Sequence, residues 1–142
     1  MSDRRNICCG NGRRRGLRKI REGIEDIRDG LQDVRDGLDD IINNNICKGK
    51  LDICEGIRDI EDGLCDIIEG LNEIECDIDR NAQRDIQEGI CDIREGIRDI
   101  CEGLNNIRRG NGLAGIRDIR EGIRNVEEGL CDIIKGLRDI RR

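Results

Sequence analysis

Nine cysteines are the residues of this chain with the widest range of chemistry. A thiol forms a disulfide, binds a soft metal ion or stays free as a small apolar side chain. The chain has no histidine, which excludes a Cys–His nucleophile pair, and no C-x-x-C pair of the kind that structural zinc sites usually contain. The candidates for disulfides or cross-links are Cys8, Cys9, Cys47, Cys54, Cys65, Cys76, Cys91, Cys101 and Cys131.

A second set of candidate ligands is acidic and has the spacing of the oxygen ligands in an EF-hand calcium loop. The loop's sixth position needs glycine for a sharp turn, and Ala82 stands there. The segment is therefore either a calcium site or a turn that leads into a helix. Its candidate residues are Asp77, Asp79, Asn81, Asp85 and Glu88.

Residues 23–29, with the sequence GIEDIRD, represent a heptad that most of the chain repeats. We letter each heptad a to g, so that the glycine is g, the aliphatic residue after it is a and the second aliphatic residue is d. This spacing is typical of a helix that packs on other helices. A glycine inside a helix costs about 1 kcal/mol relative to alanine. Glycine at every seventh residue therefore predicts that two helix backbones approach closely.

A longer repeat of 33 residues begins at Gly16, Gly49, Ala82 and Gly115. Ile, Leu or Val occupies 30 of the 32 a and d positions of the four segments, so each segment predicts one long helix. Short connections make neighbouring helices antiparallel. We predict an all-α four-helix bundle, with helices at about residues 16–42, 48–78, 83–109 and 114–141.

The segments between the predicted helices contain turn residues. Residues 1–15 lack the apolar pattern, and residues 8–12 (CCGNG) resemble a loop, so we predict an N-terminal arm before a repeat domain of residues 16–142. Asn43-Asn44-Asn45 and Gly110-Asn111-Gly112 predict the first and third turns. The second connection, near Asn81, is either a turn or a continuous helix with a stutter.

The two flanks of each apolar stripe differ in composition. Position c, on the glycine side, is acidic in 13 of 16 cases, and position e, on the other side, often carries Arg. The bundle should therefore alternate close, glycine-lined contacts with wider contacts that bear Arg, Glu and Cys. Five cysteines at positions b and e are predicted to gather on one edge in two layers: Cys54, Cys65, Cys91, Cys101 and Cys131.

Composition excludes several functions. Charged residues make up 41% of the chain, the net charge is −6, and Phe, Tyr and Trp are absent. We expect no nucleic-acid binding as the main role, no membrane span and no phosphate loop. The basic first residues lack a following apolar stretch, so we expect synthesis in the cytoplasm without a signal peptide. No catalytic constellation is present, and we predict that the protein is not an enzyme and needs no cofactor.

These observations favour a structural role. We predict a subunit that self-assembles into a filament, sheet or shell, with cysteines that cross-link neighbouring copies. In composition it resembles the cysteine-rich coat proteins of bacterial spores, which implies a surface layer oxidised after synthesis. The alternatives are a metal-binding bundle, with Cu(I) on the cysteines or Ca²⁺ on the acids, and a helical adaptor. Bacterial copper-storage proteins are similar in architecture, but their thiols fill the bundle interior, where this chain has Ile and Leu.

Overall fold

Four α-helices make up the structure. The computed structural model describes the backbone of residues 2–74 and 77–140 and the side chains of residues 13–74 and 77–140. The helices are α1 (Ser2–Ile42), α2 (Ile46–Ile74), α3 (Arg80–Arg108) and α4 (Gly112–Ile140), and no strand occurs in the described backbone. The predicted bundle of four long antiparallel helices is confirmed.

Each connection has a local physical cause. Asn44, after α1, has a positive φ of 76°, a left-handed conformation that asparagine adopts more readily than most residues. Gly110, after α3, has φ 92°, which suits glycine because it has no Cβ. Before α3, the Asp79 carboxylate accepts a hydrogen bond of 2.8 Å from the backbone N–H of Ala82 and caps the helix. The second connection is therefore a turn, not a continuous helix.

Some helix bounds differ from the prediction. Helix α1 begins at Ser2 instead of about residue 16, so the loop-like conformation predicted for residues 8–12 is wrong. Adding a residue to a formed helix gains a hydrogen bond even where no apolar stripe guides it. Helix α3 begins at Arg80 instead of about residue 83, because the Asp79 cap sets its start. The side chains of residues 1–12 lie outside the described part, so the arm's role stays a prediction.

Glycines join α1 to α2 backbone against backbone. A Cβ built on Gly30 would lie 2.5 Å from the carbonyl oxygen of Gly56, and a Cβ on Gly37 would lie 2.6 Å from that of Gly49. Real Cβ atoms essentially never approach an oxygen so closely. The heptad glycines are therefore required by helix packing, as the sequence predicts.

The same glycine packing joins α3 to α4. Cβ atoms built on Gly96 and Gly122 would each lie 2.6 Å from the carbonyl oxygen of the other residue. At the far end Ala82 replaces glycine, and a Cβ on Gly136 would lie 2.9 Å from its carbonyl oxygen. The chain is thus two antiparallel helix hairpins of one design.

The two hairpins meet along wider contacts, between α1 and α4 and between α2 and α3. The predicted alternation of close and wide contacts is therefore present. One cluster of aliphatic side chains from all four helices fills the centre, and no charged or polar residue is buried in the described part. Ile27, Ile60, Ile93 and Ile133 are fully buried members of this core.

Candidate functional site

Every described cysteine is exposed and has a free thiol: Cys47, Cys54, Cys65, Cys91, Cys101 and Cys131. They lie at the first turn of α2 or at positions b and e, away from the aliphatic core. Such side chains are accessible to oxidants and to a neighbouring chain. The side chains of Cys8, Cys9 and Cys76 lie outside the described residues.

Cys54 of α2 and Cys101 of α3 both lie along the contact between the hairpins, near enough for an electrostatic interaction between them. Partial burial raises the pKa of the Cys101 thiol, and electrostatic interactions with Glu61 and then with Cys54 raise it further. The thiolate is the reactive form in disulfide exchange and metal binding. Cys101 is therefore less reactive than its exposure alone suggests.

The five cysteines at b and e do not share one edge. Cys65 lines a groove with Arg94 and Ile97 of α3, on the contact between α2 and α3. Cys131 lines a groove with Arg28 and Arg35 of α1, on the opposite side of the bundle. The glycine side of α4 packs on α3, so its other side faces α1. The prediction that all five gather on one edge is wrong for Cys131.

The calcium candidates have other roles or locations. Asp77 forms an ion pair of 3.0 Å with Arg13, and Asp79 caps α3. Asn81, Asp85 and Glu88 lie in the first turns of α3, so they belong to a helix instead of a binding loop. Within residues 13–74 and 77–140, no three Cys, Asp or Glu side chains are grouped so that they could hold a metal ion.

The position c residues form a feature that the sequence did not reveal. All of them are half-buried, and several pack against glycines of the opposite helix. A Cβ on Gly63 would lie 3.1 Å from the Asp26 Cβ, and a Cβ on Gly30 would lie 3.0 Å from the Asp59 Cβ. Each c residue therefore lies beside the c residue of its partner helix.

We name these two rows of paired c residues the carboxylate ladders. Most rungs pair two acids. The sequence shows that position c is acidic, but it does not show that two acids face each other. Between α1 and α2 the rungs are Lys19–Glu73, Asp26–Asp66, Asp33–Asp59 and Asp40–Asp52. Between α3 and α4 they are Asp85–Asp139, Asp92–Asp132, Asp99–Asn125 and Asn106–Asp118.

Three rungs are joined by favourable polar contacts. Lys19 Nζ lies 3.5 Å from Glu73 Oε1. The amide of Asn125 donates a hydrogen bond of 2.8 Å to Asp99, and the amide of Asn106 donates one of 2.6 Å to Asp118. A cation or an amide on one side thus satisfies the carboxylate on the other.

Of the acid–acid rungs, Asp40–Asp52 alone has a cation paired with it among the described ion pairs, since Lys48 lies 3.5 Å from Asp40. Burial raises the pKa of Asp33, and the negative charges of Asp59, Glu55, Asp36 and Asp52 raise it further. The pKa of Asp26 and the pKa of Asp66 are also raised, first by burial and then by neighbouring carboxylates.

In the second ladder, burial raises the pKa of Asp132. The charge of Asp92 and a hydrogen bond to Asp92, which only a protonated carboxyl donates, raise it further. Asp85 adds to this effect, and Lys135 opposes it. The ladders therefore concentrate mutually repelling negative charge in both hairpins.

Positions b and e along the two wide contacts carry the opposite charge, and we name them the arginine edges. Their four acids are Glu25, Asp39, Glu61 and Glu127 in the described helices. Between α2 and α3 the arginines are Arg58, Arg84, Arg94, Arg98 and Arg108. Between α1 and α4 they are Arg18, Arg21, Arg28, Arg35, Arg117, Arg120, Arg124 and Arg138.

The fold and surface define a class: an antiparallel four-helix bundle of two glycine-packed hairpins with an aliphatic core, exposed thiols and segregated charge. No protein-family model, curated protein or solved structure matches the chain. None of the described helical segments is long and apolar enough to cross a membrane. The functional argument therefore depends on the surface itself.

Proposed function

We propose that this chain is a non-catalytic structural subunit that self-assembles into a filament, sheet or surface layer, with cysteines that cross-link neighbouring copies. The observation that carries the proposal is the placement of the described thiols. All six are exposed, while aliphatic residues alone supply the core. Exposed thiols contribute little to packing, but they are available to a second chain.

The chemistry of such a link is thiol oxidation. Two thiols of neighbouring copies lose two hydrogens to an oxidant, such as molecular oxygen or a low-molecular-weight disulfide, and one S–S bond forms. Cys47 lies in the first turn of α2, Cys65 and Cys91 lie on the α2–α3 side, and Cys131 lies on the α1–α4 side, so links can form in several directions. Links in several directions would make a filament or layer instead of a closed dimer.

The test is the denatured, non-reduced mass of native material, with and without a reductant. We expect a series of covalent multimers that collapses to monomer on reduction. Serine variants at Cys47, Cys65, Cys91 and Cys131, tested one at a time, identify the linking positions. Native material that is monomeric, with all its thiols free, contradicts the proposal.

The same preparation tests the alternative of Cu(I) storage. The pair of Cys54 and Cys101 is the described arrangement that favours it, because the two cysteines lie along one contact between the hairpins, near enough for an electrostatic interaction. Metal analysis before and after thiol alkylation measures bound copper. Copper that is retained in the native monomer and lost on alkylation would favour storage over cross-linking.

A further inference from the structure

The sign of the surface charge alternates around the bundle. The carboxylate ladders run along the α1–α2 and α3–α4 sides, and the arginine edges run along the α2–α3 and α1–α4 sides. The helices form a ring in chain order, so each ladder lies between two arginine edges. The molecule therefore presents two acidic and two basic sides.

The charge of the ladders is compensated mainly at their ends. Lys19 pairs with Glu73, and Lys48 lies 3.5 Å from Asp40. Across the described side chains, no Lys or Arg forms an ion pair with the central carboxylates Asp26, Asp33 or Asp132. Each of them is repelled by neighbouring carboxylates of its own ladder, so a cation brought to the ladder from outside would relieve the repulsion.

The arginine edges also have unused charge. Arg35 forms an ion pair with Glu127. In contrast, Arg94, Arg98, Arg120 and Arg124 are exposed and form no ion pair with any described residue. These guanidinium groups are available to carboxylates of another molecule.

The arginines of the α1–α4 edge share the axial spacing of the ladders. Ladder rungs recur every seven residues, about 10.5 Å along a helix, and so do Arg21, Arg28 and Arg35 of α1 and Arg117 and Arg124 of α4. We propose that copies of this chain dock side by side, with an arginine edge of one copy on a carboxylate ladder of the next. The inference rests on the self-assembly proposed above and specifies the surfaces that mate.

This contact is heterologous, because the two mating surfaces differ. Each copy has two surfaces of each kind, so docking continues from copy to copy instead of closing into a symmetric dimer. A nucleic acid would satisfy the arginine edges but leave the ladders crowded with negative charge. A second copy satisfies both surfaces, and it is therefore the partner that the charges favour.

The test measures self-association by sedimentation velocity with a reductant present, so that disulfides do not contribute. The ladder variant replaces four central acids, and asparagine already occurs at this heptad position in Asn106 and Asn125. We expect its association constant to fall by about tenfold or more, because the attraction to arginine is lost. Its substitutions are Asp26→Asn, Asp33→Asn, Asp92→Asn and Asp132→Asn.

A charge-matched control separates this contact from a general charge effect. It removes four exposed acids at position f, on the outermost line of the helices, and so has the same net charge as the ladder variant. If net charge alone controlled association, both variants would associate more strongly than the wild type and to the same extent, because both have less net negative charge. The control substitutions are Glu95→Gln, Glu102→Gln, Glu121→Gln and Glu128→Gln.

An edge variant tests the other surface. We expect it to lose association as the ladder variant does, and we expect the wild type to weaken between about 0.03 M and 0.3 M salt, where charges are screened. Circular dichroism checks that each variant is folded. The edge substitutions are Arg94→Gln, Arg98→Gln, Arg120→Gln and Arg124→Gln.

The outcomes distinguish this inference from the proposed function. If the ladder variant associates as strongly as the wild type, or if the wild type stays monomeric and binds a polyanion such as single-stranded RNA, the docking proposal is overturned. If the ladder variant associates as strongly as the wild type, covalent multimers in non-reduced native material would still support cross-linked assembly. Loss of association in both variants but not in the control supports the docking.

Discussion

At the scale of single residues, the glycines of the hairpins leave no room for a methyl group. A Cβ on Gly30 would lie 2.5 Å from the Gly56 carbonyl oxygen and 2.9 Å from Ile60 Cγ1. Alanine has the higher helix propensity, by about 1 kcal/mol. The clash involves backbone, which yields little, so we expect Gly30→Ala to lower the free energy of unfolding by about 2 kcal/mol. Urea denaturation followed by circular dichroism measures the change.

Gly112 provides the matched control. It begins α4, and a Cβ built there would meet nothing within 4 Å. Gly112→Ala should therefore leave the stability unchanged or raise it by up to about 1 kcal/mol. A Gly30→Ala protein that is as stable as the Gly112→Ala protein would contradict the packing argument.

The thiol of Cys101 provides a second prediction at this scale. Burial and the charge of Glu61 raise its pKa, so we expect iodoacetamide to alkylate Cys101 more slowly than the exposed Cys47 in the native protein. Glu61→Gln removes one cause but leaves the burial, so the alkylation rate should rise by about twofold. Peptide mass spectrometry measures both rates, and Glu25→Gln is the control. Equal alkylation rates of Cys101 in the Glu61→Gln and wild-type proteins would show that Glu61 does not raise the pKa of this thiol.

At the scale of the helices, the carboxylate ladders predict that mild acid stabilises the hairpins. Asp26, Asp33, Asp66 and Asp132 have folded-state pKa values above the ordinary value. The folded state therefore binds protons more tightly than the unfolded chain. Their stabilising contribution to the free energy of unfolding is complete below about pH 3.9, the pKa of an aspartate in the unfolded chain. It is lost as the pH rises through the pKa of the folded state.

We therefore expect Asp33→Asn to stabilise the protein at pH 7 and to flatten the rise in stability towards mildly acidic pH. The gain at pH 7 should be about 0.5 kcal/mol, the usual cost of one like-charge pair. Denaturation curves at several pH values measure both effects. Glu25→Gln, an exposed acid at position b, should change neither one. A loss of stability at pH 7 in Asp33→Asn would show that the negative charge of Asp33 stabilises the folded protein, which contradicts this argument.

Much of the element scale was predictable from the sequence. The heptads predict four helices, and glycine at every seventh residue predicts which sides approach closely. The pairing within the rungs could not be predicted, because it depends on the register of each hairpin. The sequence shows that position c is acidic but not which two carboxylates face each other. The early start of α1 has no apolar pattern to signal it. The location of Cys131 depended on which helix faces its side of α4, and that is a property of the assembled bundle.

At the scale of the whole molecule, one core unites two hairpins whose helices are otherwise paired by glycine. Side chains from all four helices belong to a single aliphatic cluster, and Ile67 is fully buried in it. The ion pair that joins α1 to α4, between Arg35 and Glu127, is largely exposed and contributes at most about 1 kcal/mol. The shared core should therefore make unfolding of the two hairpins cooperative.

Ile67→Ala tests this cooperativity. The substitution lies in the first hairpin and should cost about 2–5 kcal/mol by leaving a cavity. Hydrogen exchange followed by NMR should show that the most protected amides of α1 and α3 lose the same amount of protection, because one opening exposes both hairpins. Leu113→Ala is the surface control, since Leu113 is 84% exposed, and it should change the stability by less than about 0.5 kcal/mol. If the α3 amides keep their protection in Ile67→Ala, the hairpins unfold separately and the shared core does not couple them.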